Sequence, residues 1–564
     1  MEACYSGLTE ACYFGSRPVP PCRPWGFCSL VNFAFYPFDK MCIAGAEDPG
    51  GRTPRPITIR PLALFTSFLA VMIAAYLFKQ KRRQPPLPPG PRGVPIFGNL
   101  FQIAPKYQWR QQQEWSQKYG PIFKLQLGVH MVIVLGTYQA ARDLLDKRWK
   151  IYSDRPGFVV SAKYISGGFR TLLMRGEMWN AHRRLQATVL SPRMSQKYKP
   201  VQDLESKHLI HALLKKPDDF ARQFHRYSAS LVHSLGYGKR LVTGREEEVQ
   251  TVDTIMRNFT EAGRVGKWWV DMFPILELIP KYFAEWKRIS AKIFEYESNF
   301  HIKNLNEALE RKGWNWAKLY KNSSFSQGMS DLEVGYDLGT LNEAASDTTT
   351  IALEVFMLAM LKFPHVARRA QEELDRVVGE SRSPTWQDKD SLPYIEKVIQ
   401  ETLRWRPVAI NAFYHAVTED DEYLGYRIPK GSWVVANSWG IHMDPELYPN
   451  PSDFNPDRYD DEKLGHVAFG FGLRACTGKH IAKNSLYINI SRILWAFDIG
   501  PKMRADGTEV LVDEMAFTTG FLSRPLPFEC SIRPRDQGRV GVIETEWAEA
   551  DKSLLSIMAE EKFI

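Results

Sequence analysis

Phe469-Gly-Phe-Gly-Leu-Arg-Ala-Cys-Thr-Gly478 is the stretch on which the reading of this chain turns. It sets one cysteine, Cys476, in a glycine-rich loop, and a helical pattern follows with Leu486, Ile490, Ile493 and Phe497 on one face. Gly470, Gly472 and Gly478 permit tight turns and let a flat partner approach the backbone. The start of a helix offers unpaired N–H groups and a positive dipole end, and both favour a thiolate over a thiol. Arg474 adds a cation two residues before the sulfur. A sulfur presented in this way suits one axial position of a haem iron. The plainer alternative, a small inert core residue, is commoner for cysteine in general.

Upstream of the loop, Glu401-Thr-Leu-Arg404 belongs to a helix carrying Ile395, Val398, Ile399 and Leu403. Phe454-Asn-Pro-Asp-Arg458-Tyr supplies a second arginine some fifty residues on. Leu338 to Phe363 reads as a long helix ending before Pro364. Inside it, Ala344-Ala-Ser-Asp347-Thr348-Thr places an acid and a hydroxyl mid-helix, where a threonine commonly bonds back to the preceding turn. Trp179 and Arg183 are four apart at the start of another helical segment, hence on one face. Taken singly, each of these is an ordinary surface pair or a helix bend.

Taken together and in this order, they resemble the cytochrome P-450 monooxygenases over roughly Pro85 to Pro534. The pattern Phe-x-x-Gly-x-Arg-x-Cys-x-Gly at Phe469, Gly472, Arg474, Cys476 and Gly478 resembles that family's haem-binding loop. Thr477 stands where microsomal members commonly have proline. The resemblance implies a mostly α fold with small β-sheets, the triangular prism of the family, preceded by a single N-terminal transmembrane helix. It implies haem b (iron protoporphyrin IX) with Cys476 as the metal ligand, and Trp179 and Arg183 reaching a haem propionate, with His415 a further candidate donor. Glu401, Arg404 and Arg458 become a structural triad beneath the haem. Asp347 and Thr348 become the catalytic pair that relays protons during oxygen activation, with Ala345 replacing the usual glycine. Ala344, Ala345, Ala409, Ile410, Asn411, Phe413 and Phe521 become substrate-pocket candidates.

The activity so implied inserts one oxygen atom from dioxygen into a small lipophilic substrate. Similarity in detail to fungal members of secondary-metabolite pathways suggests an aromatic polyketide, indole or terpenoid. The chain shows no P-loop, no Gly-x-Gly-x-x-Gly and no second redox domain. Electrons would then come from NADPH through a separate NADPH-cytochrome reductase, with cytochrome b5 a second candidate donor. Lys479, His480, Lys483 and Arg184 offer a basic docking face. Alternatives are a haem-thiolate isomerase or dehydratase that needs no reductase, and a non-catalytic haem-binding sensor.

Composition bounds the rest. The 564 residues are 44% hydrophobic and 13% aromatic, enough for a large core, and the net charge is +9. No nucleic-acid motif accompanies that charge, which leaves an anionic membrane or an acidic protein as partner. Five of seven cysteines lie in the first 42 residues, so the body suits a reducing compartment.

Residues 1–56 form an extension of unknown role, and 57–83 hold an anchor and its basic flank. Within these, Pro61 to Phe78 is uncharged and just long enough to span a bilayer. Lys79, Lys81, Arg82 and Arg83 follow it and favour a cytoplasmic body on a single-pass endoplasmic reticulum anchor. A proline-rich spacer, Pro85 to Pro95, opens the catalytic domain, 84–536. Strands are expected at Ile122–Leu127 and Val129–Val134 around Gly128, and a hairpin at Tyr426–Val435 around Pro-Lys-Gly. Phe158 to Leu173 reads as a loop over the substrate. Helices from Val249 to Gly313 are interrupted by glycines and prolines around exposed-type aromatics, either simple packing or a lid against the lipid surface. The tail 537–564 reads as a solvated helix.

Overall fold

A computed structural model describes residues 84–460 and 467–563, together with Thr66, Leu69 and Met72. The expected membrane run Pro61–Phe78 and the extension before it lie outside the described residues, apart from those three, which are helical and exposed. They belong to a unit, Met1–Phe78, separate from the body Lys79–Ile564.

In chain order the body's principal elements are α1 (Gln108–Tyr119), β1 (Ile122–Leu127), β2 (His130–Leu135), α2 (Gly176–Leu190), α3 (Lys199–Lys215), α4 (Phe220–Tyr237), α5 (Glu247–Ala262) and α6 (Glu285–Glu310). Then come α7 (Asp331–Lys362), α8 (Pro364–Val377), α9 (Pro393–Trp405), β3 (His415–Ala416), β4 (Asp421–Tyr423), β5 (Tyr426–Ile428) and β6 (Trp433–Ala436). The chain closes with α10 (Lys479–Ala496), β7 (Phe497–Gly500), β8 (Ser531–Pro534) and α11 (Gln537–Glu549). The body is mostly helical with small sheets.

Helix α7 organises the core. A capping box starts it: Ser330 Oγ accepts the Glu333 N–H at 3.2 Å and the Glu333 carboxylate accepts the Ser330 N–H at 2.8 Å. This cap sets the start seven residues before the expected Leu338. The helix stops at Lys362 because Phe363, ahead of Pro364, is held out of the helical region (φ −124°, ψ 64°). Among the described residues α7 is the one helix long and apolar enough to cross a membrane, but it is mostly buried within the protein. It packs with α3, α4, α9 and α10 in the largest hydrophobic cluster. Helix α10 is buried on every side from Asn484 to Ala496, so its expected apolar face widens to the whole circumference. Phe497 leaves that helix and begins β7.

Four strands form a sheet in the order β1-β2-β6-β3. β1 and β2 pair antiparallel from Ile122↔Leu135 to Leu127↔His130, one residue on from the expected second strand. β2 runs parallel to β6, with Val132 opposite Trp433. The expected hairpin around Pro429-Lys-Gly431 is therefore corrected: β5 pairs with β4, and β6 joins the larger sheet. The hairpin turn is Leu424-Gly425, both at positive φ (53° and 76°), as a two-residue turn of this hand requires.

Helix α11 is docked rather than free. Arg539 is buried and pairs with Asp375 on α8 at 2.6 Å, Trp547 stacks on His208 at 4.7 Å, and Phe563 stacks on Trp314 at 4.2 Å. The expected solvated tail thus covers apolar surface of the body.

Candidate active site

The cysteine loop is fixed by backbone geometry before any ligand is considered. Gly472 sits at φ +55°, and a Cβ there would lie 2.4 Å from the Leu145 carbonyl oxygen, so only glycine fits. Its N–H donates to Asp146 at 3.1 Å, and the Cys476 N–H donates to the Phe469 carbonyl at 2.8 Å. Gly478 precedes α10, and its N–H and that of Lys479 point at the Cys476 sulfur.

Cys476 is exposed, yet enough protein surrounds its sulfur for burial to act on the thiol. Burial pushes the thiol pKa up, against the lowering by those two N–H groups and by the Lys479 charge. The helix start alone therefore does not win the thiolate. Arg474 plays no part in this balance, because it points elsewhere.

Arg474 lies flat on Trp179, 3.6 Å above the ring, and donates to the Ser153 and Met174 carbonyls at 2.8 and 2.7 Å. Arg183 approaches the same ring at 5.6 Å. Arg155, fully buried, joins them and donates to the Tyr414 carbonyl at 2.7 Å. Burial and mutual repulsion push Arg474 down to about 8 and Arg155, through burial, to about 10. An arginine does not surrender its proton in a protein, so such a cluster calls for an anion instead. Arg474 Nη1 is buried without a partner among the described residues.

His415 is buried beside them, and its Nδ1 lies 2.7 Å from the Tyr152 carbonyl. Burial and the Arg155 charge hold it well below the usual histidine range. The Tyr152 carbonyl engages Nδ1, which leaves Nε2 as the ring nitrogen open to the donor role expected from sequence.

On the other side of the core, Glu401 is gripped by Arg404 through two hydrogen bonds, Nε–Oε2 2.7 Å and Nη2–Oε1 2.8 Å. Arg458 Nε reaches Oε1 at 3.2 Å, and the Asn455 N–H donates to the same oxygen at 2.9 Å. Arg404 also donates to the carbonyls of His442, Pro451 and Asp453. The three residues singled out from sequence thus form one buried cluster.

The face of α7 around Ala344 is the gap in an otherwise buried helix. Ala344 is exposed, and Ala345, Asp347 and Thr348 are half-buried. Thr348 Oγ1 donates to the Ala344 carbonyl at 2.9 Å. Burial raises the Asp347 pKa against the pull of Arg524, 3.3 Å away. Phe413 and Phe521 meet at 4.6 Å, and Phe521 meets Phe259 at 5.8 Å. Asn411 Oδ1 is buried without a partner among the described residues, while Ala409 is half-buried. Ile410 turns the opposite way and packs on Trp109, Trp439 and Met443, so it leaves the pocket set. The Phe158–Leu173 segment is tied down at both ends. Asp271 accepts the Val159 and Val160 N–H groups, and Arg170 pairs with Glu297 and Glu343.

The sequence profile described as cytochrome P-450 matches residues 88–531 of the chain. The chain belongs to the cytochrome P-450 family. Similar curated proteins are fungal. The P-450 monooxygenase drtD of Aspergillus calidoustus is 40% identical over 482 residues, 85% of this chain and 91% of that protein. The P-450 monooxygenase aneD of Aspergillus aculeatus is 38% identical over 496 residues, 87% and 96% of the two chains. FrzL, a P-450 monooxygenase of Cladobotryum sp, is 38% identical over 503 residues, 88% and 97%. This P-450 is accordingly an oxidoreductase that incorporates oxygen, and its family implies haem.

The donor set fits that group: one accessible sulfur, and a cluster of arginines that outnumbers its nearby acid, Asp154, and keeps an unspent N–H on Arg474. Arg155 was not found from sequence, where it is one arginine ahead of a proline. Arg524, His225 and Asp253 were also missed, because only the packing of α4, α5 and α7 brings them to Asp347.

Proposed function

We propose that this P-450 is a haem-dependent monooxygenase acting on a small lipophilic substrate, with electrons from NADPH through a separate membrane-bound reductase. The observation that carries the proposal is the exposed Cys476 together with the Arg155–Arg183–Arg474 cluster, in which Arg474 Nη1 is buried without a partner among the described residues. In this reading Cys476 ligates the iron, and Trp179, Arg183, Arg474 and Arg155 hold the propionates. Phe469, Gly472 and Gly478 shape the loop that lets the macrocycle lie close. When bound, haem supplies the dioxygen chemistry and the oxidation of an unactivated carbon.

The chain's own residues bind, orient and move protons. Phe413, Phe521, Ala344, Ala345 and Ala409 line the pocket, and Asn411 offers its single unpartnered amide oxygen to a substrate N–H or O–H. That apolar and aromatic composition supports an aromatic polyketide, indole or terpenoid. Thr348, its hydroxyl proton spent on the Ala344 carbonyl, keeps lone pairs free to accept. Asp347, held toward neutrality by burial, is suited to give and regain a proton. Glu401, Arg404 and Arg458 fix the local frame. Exposed Trp269, Ile275, Leu278, Tyr282 and Phe283 between α5 and α6 support contact with a lipid surface. With the apolar run Pro61–Phe78, they support a single-pass anchor in the endoplasmic reticulum and a cytoplasmic body.

The test is turnover of a panel of such compounds with NADPH, reductase and isotopically labelled dioxygen, after screening for spectral shifts on binding. One labelled atom in the product is expected. Turnover independent of dioxygen would overturn the proposal.

A further inference from the structure

Asp347 does not face the interior alone. His225 on α4 points Nε2 at two carboxylates from two other helices, Asp253 on α5 at 3.2 Å and Asp347 on α7 at 3.9 Å. Arg524 Nη2 reaches Asp347 at 3.3 Å, and its Nε reaches Glu354, one to two turns further along α7, at 3.1 Å. These are the charged groups that face the imidazole.

The side chain of Asp253 is 42% exposed, that of Asp347 20% and that of His225 15%, so the imidazole is the most covered of the three. The crevice behind the ring, lined by His225, His233, Asn342, Ser346 and one further charged residue, Glu248 on α5, has no room for a water molecule. His225 Nε2 thus stands between Asp347 and the more exposed Asp253. Three ligand-type atoms within 4.8 Å of one another also have the spacing of a metal site. Arg524, however, already supplies the positive charge such a site would hold.

We propose that His225 is a positioning and proton-shuttling residue that recharges Asp347 from solvent by way of Asp253. This rests on the monooxygenase reading and adds to it the chain's own proton inlet. The imidazolium gives its Nε2 proton to the Asp347 carboxylate and becomes neutral. Asp253, protonated by solvent water, then returns a proton to the same nitrogen and is left a carboxylate. One proton enters and one is delivered, with no net change in the shuttle. Burial lowers the His225 pKa, but the hydrogen bond to Asp253 and the charges of Asp253 and Asp347 outweigh it and raise the pKa, which favours the charged ring.

The experiment uses the full-length holoprotein with reductase. Histidine hydrogen–deuterium exchange read by mass spectrometry should place the His225 pKa above the ordinary value of about 6.5. Asp253→Asn, on the exposed face of α5, should lower it without disturbing the fold. His225→Gln should slow NADPH oxidation on the order of tenfold, less than a direct acid–base group because Asp347 is itself partly wetted. It should also enlarge the solvent deuterium isotope effect and flatten the fall in rate that the wild type shows as pH rises past the His225 pKa. Two outcomes would overturn the proposal: a His225 pKa at or below 6.5, or wild-type rates and isotope effects in both variants. A carbon monoxide difference spectrum of the same samples separates failure of the shuttle from failure of the haem-thiolate reading. In the first case the thiolate spectrum is intact, and in the second it is missing from the wild type.

Discussion

Replacing Glu401 by glutamine tests the frame on which the site rests. The carboxylate is fully buried and accepts four hydrogen bonds, two from Arg404, one from Arg458 and one from the Asn455 N–H. Glutamine keeps one acceptor oxygen but turns an N–H₂ toward an arginine donor, and it leaves two guanidinium groups buried without a countercharge. Breaking a buried ion pair from one side costs about 3–5 kcal/mol. The carbonyls of His442, Pro451 and Asp453 still hold Arg404, which favours the lower part of that range. At about 2.1 cal/mol/K per residue, a body of about 480 residues unfolds with an entropy of roughly 1 kcal/mol/K, so Tm should fall by about 3–4 °C. The control is Asp457→Asn, which breaks the neighbouring Arg369 pair with side chains 54% and 43% exposed. That pair contributes about 0–1 kcal/mol, so its loss should move Tm by less than about 1 °C. Thermal unfolding of the three proteins side by side decides. Equal shifts, or no shift for Glu401→Gln, would refute the argument that burial makes this cluster the stronger one.

Thr348→Ala should uncouple NADPH consumption from product, read as more peroxide per NADPH by about tenfold or more; unchanged coupling removes the hydroxyl from the relay. Gly472→Ala forces a Cβ into the Leu145 carbonyl oxygen at a positive φ, and purified protein should retain far less haem per chain. Full occupancy would show that the loop yields. Asp271 is lifted by burial to about 6, despite accepting two backbone N–H groups. Its folded pKa lies above the unfolded value, so the protein binds extra protons and loses up to about 3 kcal/mol of stability as pH rises from about 4 to 6. Asp271→Asn keeps an acceptor oxygen and should abolish that slope in chemical unfolding at stepped pH; an unaltered slope assigns it to other groups.

What could be read from the sequence was whatever is local. Five identities in ten positions located the Cys476 loop, and Glu401 with Arg404 lie one turn apart on a single helix. Distances across the fold were another matter. Arg155, Arg524, His225 and Asp253 carry no local signature, and only packing joins them to the site. Ile410 was grouped with its chain neighbours as a pocket candidate, and a resemblance over an irregular segment does not say that it packs on Trp109, Trp439 and Met443 instead. The Pro429-Lys-Gly431 turn was read as a hairpin because turn chemistry is local, whereas the parallel pairing of β6 with β2 depends on a partner 300 residues upstream. The expected pull of the helix start on the Cys476 thiol is present in the Gly478 and Lys479 N–H groups, and the burial that opposes it is visible only in the folded chain. The tail is the expected helix and largely solvated, but Trp547 and Phe563 find partners that only the fold supplies.

The most direct measurement is the carbon monoxide difference spectrum of the reduced full-length protein, taken beside Cys476→His. The account predicts the red-shifted Soret band of thiolate ligation in the wild type and its replacement by an imidazole-type band in the variant. An imidazole-type band in the wild type, or a thiolate band that survives the substitution, would contradict Cys476 as the ligand.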